Sequence, residues 1–238
     1  MEQLRVCTAW RGVGECLACD GRENAFFCGL SPDAVSTLHV DVDNTGIQPG
    51  ETLFRRGDPA GFVWVLRTGA VKLLAKSSDG SQRIVRVLKA GDVAGLEALL
   101  SGHYAHTAVT VGNVHACRMP LPAIEELCLE HGDFQWSVMK KLYAALGETE
   151  QWLVELASTG ASARTRMARL LLRLRDSESN RIYKFSREEL GLMLGIALET
   201  ASRIIAGFLR ERLLVRREAG SRFYDGDISR LERIAQGK

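Results

Sequence analysis

Proline is scarce in this chain: there are five among 238 residues, and none follows Pro122. No ring past that point interrupts a helix, so the second half is open to long ones. No apolar run approaches the roughly 18 residues that a membrane-spanning helix needs. The opening residues, Met1-Glu2-Gln3-Leu4-Arg5-Val6-Cys7, lack the apolar core of a signal peptide, so the expected location is cytoplasmic with no membrane partner. There is no internal repeat and no low-complexity tract, which excludes a solenoid or a disordered linker protein. Neither sign of charge dominates, with 31 Lys and Arg against 29 Asp and Glu.

That balance hides an asymmetry. Residues 159–238 hold 17 basic against 10 acidic side chains, and residues 1–158 hold 14 against 19. A basic C-terminal third on an acidic body fits polyanion binding through that third.

From Asp41 to Met119 turn signals recur about every ten residues: Pro49-Gly50, Gly57-Asp58-Pro59, Gly69, Asp79-Gly80 and Gly91-Asp92. Short apolar runs lie between them, at 62–66, 70–74, 83–88 and 107–111. This spacing predicts an antiparallel barrel or roll. After Pro122 the pattern turns helical. Met139, Leu142, Leu146, Thr149, Leu153 and Leu156 alternate by three and four, the spacing of a two-stranded seam with one polar break at Thr149. Gly160 ends that helix, and Ala163–Leu174 reads as another. Trp10, Trp64, Trp136 and Trp152 read as packing residues.

The C-terminal third carries the most specific pattern. Ser186 followed by Glu189 is a capping box, Leu190, Met193 and Leu194 make an apolar stripe, and Gly195 stops the helix. In the next helix Ala201, Ile204, Ile205 and Phe208 line one face, and Glu199, Ser202 and Arg203 line the other, with Thr200 beside Glu199. Helix, Gly turn and second helix is the helix-turn-helix arrangement. An acid, a hydroxyl and a guanidinium on its second helix suit base edges in a major groove: Arg bonds guanine, Glu accepts from cytosine, and Ser adapts to either. Residues 214–217 and 222–224, around Glu218-Ala219-Gly220-Ser221, read as a hairpin wing. Ala197 gives the second helix no side-chain N-cap.

Six Cys in a cytoplasmic chain do not make a disulfide scaffold. Cys7, Cys16, Cys19 and Cys28 crowd into the first 28 residues, and that density points to metal or redox chemistry. Four thiolates suit Zn²⁺, and the same Cys suit a thiol–disulfide switch. Cys128 reads as a buried helix Cys. His103 and His106, three apart on a strand, would face opposite sides and do not make the metal site of a cupin-like enzyme.

Roll, long helix, Gly hinge and winged helix-turn-helix together resemble the Crp–Fnr family of bacterial transcription regulators from about residue 31 onward. Leu194-Gly195-Ile196-Ala197-Leu198-Glu199-Thr200-Ala201-Ser202-Arg203 is similar to the recognition segment of the Fnr branch. The resemblance implies an α+β fold: a Cys-rich sensor segment (1–30), a β-roll like cyclic-nucleotide-binding domains (31–132), a dimerisation helix (133–158) and a winged helix-turn-helix (159–238). It implies no enzymatic activity. The implied partners are double-stranded DNA with a TTGAT-N4-ATCAA-like palindrome, a second copy of the chain, and RNA polymerase. It also implies a [4Fe–4S] cluster on Cys16, Cys19 and Cys28, sensing oxygen, nitric oxide or redox state. Family position favours Cys117 as the fourth ligand, and Cys7 is the other candidate. Leu96 and His106 stand where the cyclic-AMP-binding branch carries its ribose-binding Glu and phosphate-binding Arg. That departure argues against cyclic AMP and leaves another small-molecule effector in the roll open.

Overall fold

The computed structural model describes residues 6–9 and 41–237, apart from 77–79, 81, 158–159, 177–178 and 219. Cys16, Cys19 and Cys28 therefore lie outside the described residues. The chain divides into two compact units, one of residues up to Ala75 with Arg86–Gly147, the other of Lys76–Val85 with Glu148–Lys238. No single helix among the described residues is long and apolar enough to cross a membrane.

From Asp41 to Pro120 the described chain alternates strands and tight turns, as the Gly and Pro spacing requires. The strands are β1 (Val6–Ala9), β2 (Asp41–Ile47), β3 (Thr52–Phe54), β4 (Phe62–Thr68), β5 (Val71–Lys76), β6 (Gln82–Leu88), β7 (Val93–Ala94), β8 (Thr107–Thr110) and β9 (Val114–Pro120), with the one-turn helix α1 (Ala98–Ser101) before β8. They form two antiparallel sheets, β1-β2-β9-β4-β7 and β3-β8-β5-β6. Along β9, Val114 and Ala116 are buried while His115 is exposed, the alternation of a strand with one face on a core. The middle of β4, Val63–Leu66, is buried on both faces. Tyr104 ties the segment after α1 to β4: its hydroxyl donates to the Phe62 carbonyl at 2.7 Å and accepts from the Phe62 N–H at 3.1 Å. Its ring stacks on Phe54 at 4.0 Å.

Helix α2 (Leu121–Glu130) buries Leu121, Ile124 and Leu127, and α3 (Gly132–Ala157) follows it. The structure departs from the sequence reading along α3. Met139, Leu146, Thr149 and Leu153 are exposed as the seam predicts, but Leu142 is half-buried, and the side chain of Leu156 is not described. Trp136, read as a packing residue, is 58 % exposed, and Tyr143 beside Leu142 is 78 % exposed. Trp64 and Trp152 are buried as expected. The exposed residues Trp136, Met139, Tyr143, Leu146, Glu150 and Leu153 succeed one another by three and four. They make a heptad stripe rotated by about one residue from the predicted seam and sharing Met139, Leu146 and Leu153 with it.

The last part of the chain holds α4 (Ala163–Arg173), β10 (Arg181–Tyr183), α5 (Arg187–Leu194), α6 (Leu198–Arg210), β11 (Leu214–Arg216), β12 (Phe223–Gly226) and α7 (Ile228–Ala235). The predicted hairpin is β11–β12, and β10 adds to its other edge in the order β10-β12-β11. Met167, Leu170, Leu171, Leu190, Met193, Ile205, Phe208 and Leu231 form the core here. Each such side chain contributes roughly 1.5–3 kcal/mol on burial.

Candidate nucleic-acid interface

Helix α5 starts where the sequence requires. Ser186 Oγ accepts from the Glu189 N–H at 3.1 Å, and the Glu189 carboxylate accepts from the Ser186 N–H at 2.9 Å, closing the capping box. The helix ends at Gly195, whose φ of +61° is the left-handed region that glycine enters freely. Gly191 was not singled out by sequence, yet the turn depends on it. A Cβ there would stand 2.8 Å from the Ile196 carbonyl oxygen, so a side chain would push the two helices apart.

Helix α6 then presents its two faces. Ala201, Ile205 and Phe208 are buried, and Glu199 and Arg203 are exposed with Ser202 and Thr200 half-buried. The predicted polar trio therefore lies together on the open side. Ala197 is the N-cap and makes no side-chain capping bond. Ala197→Ser is expected to raise the stability of this unit by about 1 kcal/mol in thermal or denaturant unfolding, since serine supplies the missing acceptor. An unchanged midpoint would mean that the helix start is capped by other means.

The outer helices and the wing brace α6. Arg164 of α4 lies 4.8 Å over the Phe208 ring and makes two bonds, at 2.9 and 2.6 Å, to the Glu211 carboxylate. Those bonds hold Glu211 below the usual carboxylate range. Arg166 donates to the Leu194 carbonyl, Arg169 donates to Ala235 at 2.8 Å, and Arg230 of α7 donates to Glu211 at 3.1 Å. Beside the start of α5, the β10–α5 link and the wing enclose a cleft of about 470 Å³ lined by Lys184, Ser186, Arg187, Arg216, Arg217 and Ser221, among others. Arg187 donates to the Tyr224 hydroxyl at 3.2 Å, and Arg217 pairs with Asp225 at 3.0 Å. A basic cleft at the first helix of a helix-turn-helix lies where that helix crosses the DNA backbone. The basic bias of this third is visible in the sequence, whereas the cleft forms only when residues 184–187 and 216–224 meet.

The cysteines fall in different places. Cys7 is on β1, in register with Asp43. Cys117 is half-buried on β9, and its Sγ lies 3.5 Å from Asn44 Oδ1. Cys128 is half-buried on α2, where burial and then the nearby Glu125 push its thiol up. Among the described residues no three His, Cys, Asp or Glu side chains gather to hold a metal.

In the roll, Leu96 is buried and His106 faces Glu97, with Nδ1 3.6 Å from Oε1. Burial pushes the Glu97 carboxyl up, but the contact with His106 and nearby backbone N–H groups more than offset it, so it ionises below its ordinary value. An anionic carboxylate thus stands against the position that the sequence reading compared with a phosphate-binding arginine.

Comparison with known proteins matches two family models: a cyclic nucleotide-binding domain over residues 46–131 and a Crp-like helix-turn-helix domain over residues 165–234. The transcriptional regulatory protein Btr of Bordetella pertussis is 27 % identical over 195 residues, covering 78 % of this chain and 79 % of that protein. The transcriptional activator Anr of Pseudomonas aeruginosa is 27 % identical over 174 residues, 71 % of each chain. The solved structure of FixK2 from Bradyrhizobium japonicum superposes with a TM-score of 0.69 at 22 % identity, over 81 % of this chain and 96 % of that one, a likeness of fold.

Proposed function

The chain belongs to the Crp–Fnr family of DNA-binding transcription regulators, and from that we propose that two copies pair along α3 and read a TTGAT-N4-ATCAA-like palindrome under control of an N-terminal iron–sulfur cluster. The observation that carries the DNA reading is the division of α6, with Ala201, Ile205 and Phe208 buried while Glu199 and Arg203 stand exposed beside Ser202 and Thr200. Arg203 bonds guanine, Glu199 accepts from cytosine, and Ser202 adjusts to its neighbour. Lys184, Arg187 and Arg216 meet backbone phosphates, which adds affinity without sequence preference. The exposed stripe of α3 is the surface for the second copy, because two apolar heptad stripes bury one another. RNA polymerase is the further partner that the family implies.

The sensor reading rests on the donor set. No described cluster supplies three metal ligands, so a site that includes Cys117 takes its others from the segment carrying Cys16, Cys19 and Cys28. Strand β1 supports this: Val6 pairs with Asn44, and Asn44 with Cys117, so that segment begins on the sheet that carries Cys117. Thiolates at Cys16, Cys19, Cys28 and either Cys117 or Cys7 would hold a [4Fe–4S] cluster, which supplies a group labile to oxygen and nitric oxide. The Glu97 carboxylate against His106 disfavours a phosphate there, which speaks against cyclic AMP as effector.

Protein purified without oxygen is expected to be brown and to contain iron and sulfide. Cys16→Ala, Cys19→Ala and Cys28→Ala should each lose the iron. If Cys117→Ala loses it and Cys7→Ala does not, the fourth ligand is Cys117, and the reverse result makes the site entirely N-terminal. Colourless protein carrying zinc, or metal-free protein that forms a disulfide in air, would replace the cluster by a zinc or thiol switch.

A further inference from the structure

Resting on the reading of the basic cleft as a contact for DNA phosphates, we propose that Tyr224 is the residue that positions its cations. Tyr224 lies on β12, the central strand of β10-β12-β11, opposite Ile182 on one side and Arg216 on the other. Partners in register share a face of a sheet, so Arg216 starts from the same face as the tyrosine. Tyr224 is only 1 % exposed, yet it lines the cleft. Its hydroxyl accepts from Arg187 Nη1 at 3.2 Å, and Lys184 Nζ lies over its ring at 5.9 Å. The Lys184 N–H in turn donates to the Arg222 carbonyl at 2.7 Å, which ties the β10–α5 link to the wing. All three cations assigned to phosphates are thus neighbours of one buried phenol.

The hydroxyl brings no charge of its own, and that is its use. Arg187 is the first residue of α5, at the positive end of the helix dipole, where a cation is disfavoured. Lys184 and Arg216 add like charge around the same cleft. The helix therefore gives the guanidinium no reason to stay there, and another group has to hold it. A carboxylate would hold it by neutralising it, as Asp225 does for Arg217 and Glu211 does for Arg164. The phenol holds it and leaves the positive charge whole. One N–H of the fork goes to the hydroxyl, and four remain to meet an anion. The side chain is then ordered before DNA arrives, so less freedom is lost on binding. Tyr224 is itself buried and acts through Arg187, which makes it a positioning residue.

The test uses the full chain, purified without oxygen, titrated against a TTGAT-type duplex and a random duplex over a range of salt concentrations. Tyr224→Phe keeps the ring, and with it the packing and the face toward Lys184, and removes only the hydroxyl. It is expected to weaken binding to both duplexes by roughly 2- to 12-fold per DNA-binding unit, the cost of ordering one long side chain at the moment of binding. Arg187→Gln should also weaken both, and should lower the slope of log affinity against log salt by about 1 per unit. Adding Tyr224→Phe to Arg187→Gln should then change nothing further, because the hydroxyl works only through that guanidinium. If Tyr224→Phe binds like the wild type, or if its loss repeats in full on the Arg187→Gln background, the positioning role is wrong and the cleft still stands as a phosphate contact. If Arg187→Gln leaves both affinity and salt slope unchanged, the phosphate reading of Arg187 fails and takes this inference with it.

Discussion

Placing glutamate at both Leu146 and Leu153 is expected to leave the protein monomeric and to weaken binding to a two-half-site operator by about two orders of magnitude or more. The two leucines lie seven residues apart on the exposed stripe of α3, 57 % and 64 % exposed in the single chain. Within one chain they cover little, so thermal stability of the isolated chain should barely change. Pairing would bury them, and a carboxylate buried without a partner costs several kcal/mol. Glu150 already sets one carboxylate in that stripe, which leaves the remaining apolar positions more of the contact to supply. Leu142 is a poorer probe because it is half-buried, and a charge there would confuse folding with pairing. Sedimentation decides the matter: a double variant that still runs as a dimer places the contact elsewhere.

Arg203→Ala should cost about 1–3 kcal/mol on a TTGAT-type duplex, roughly 5- to 150-fold, and leave binding to random duplex nearly unchanged. The guanidinium is exposed on α6 while the opposite face holds the core, so the fold should survive its removal. Arg203→Lys keeps the charge but loses the planar fork, and should recover phosphate attraction without guanine preference. Titrations on both duplexes at one salt concentration check this. Equal losses on the two would mean that Arg203 touches only backbone phosphate.

Features with local causes were legible in the sequence. The turn residues of the roll place its strands to within a few positions, and Ser186, Glu189 and Gly195 mark both ends of α5 because caps are settled by residues three or four apart. The polar trio of α6 follows from helical spacing alone. What escaped depends on distant partners. Strand β10 is three residues long and exists through its pairing with β12, some forty positions away. Periodicity fits Leu142 as well as Tyr143 to a seam, since neither spacing nor apolarity tells which neighbour the chain's own core will cover. Gly191 is needed because the Ile196 carbonyl packs over it, and no motif announces that contact. Cys16, Cys19 and Cys28 remain a reading of sequence.

The arginines of α4 have a mechanical consequence. Arg164, Arg166 and Arg169 reach, in turn, the end of α6, the end of α5 and the end of α7, while Arg230 fastens α7 back to Glu211. The three ties from α4 end on three different helices, and the fourth joins two of those, so no one helix can slide without breaking bonds to the others. Such a body behaves as a stiff reading head with few soft internal coordinates. A signal arriving from elsewhere in the chain would find little to deform inside it. If two copies pair along α3 as proposed, control of DNA binding would work on whether the heads are joined and at what spacing, a property of the pair rather than of the fold of either one.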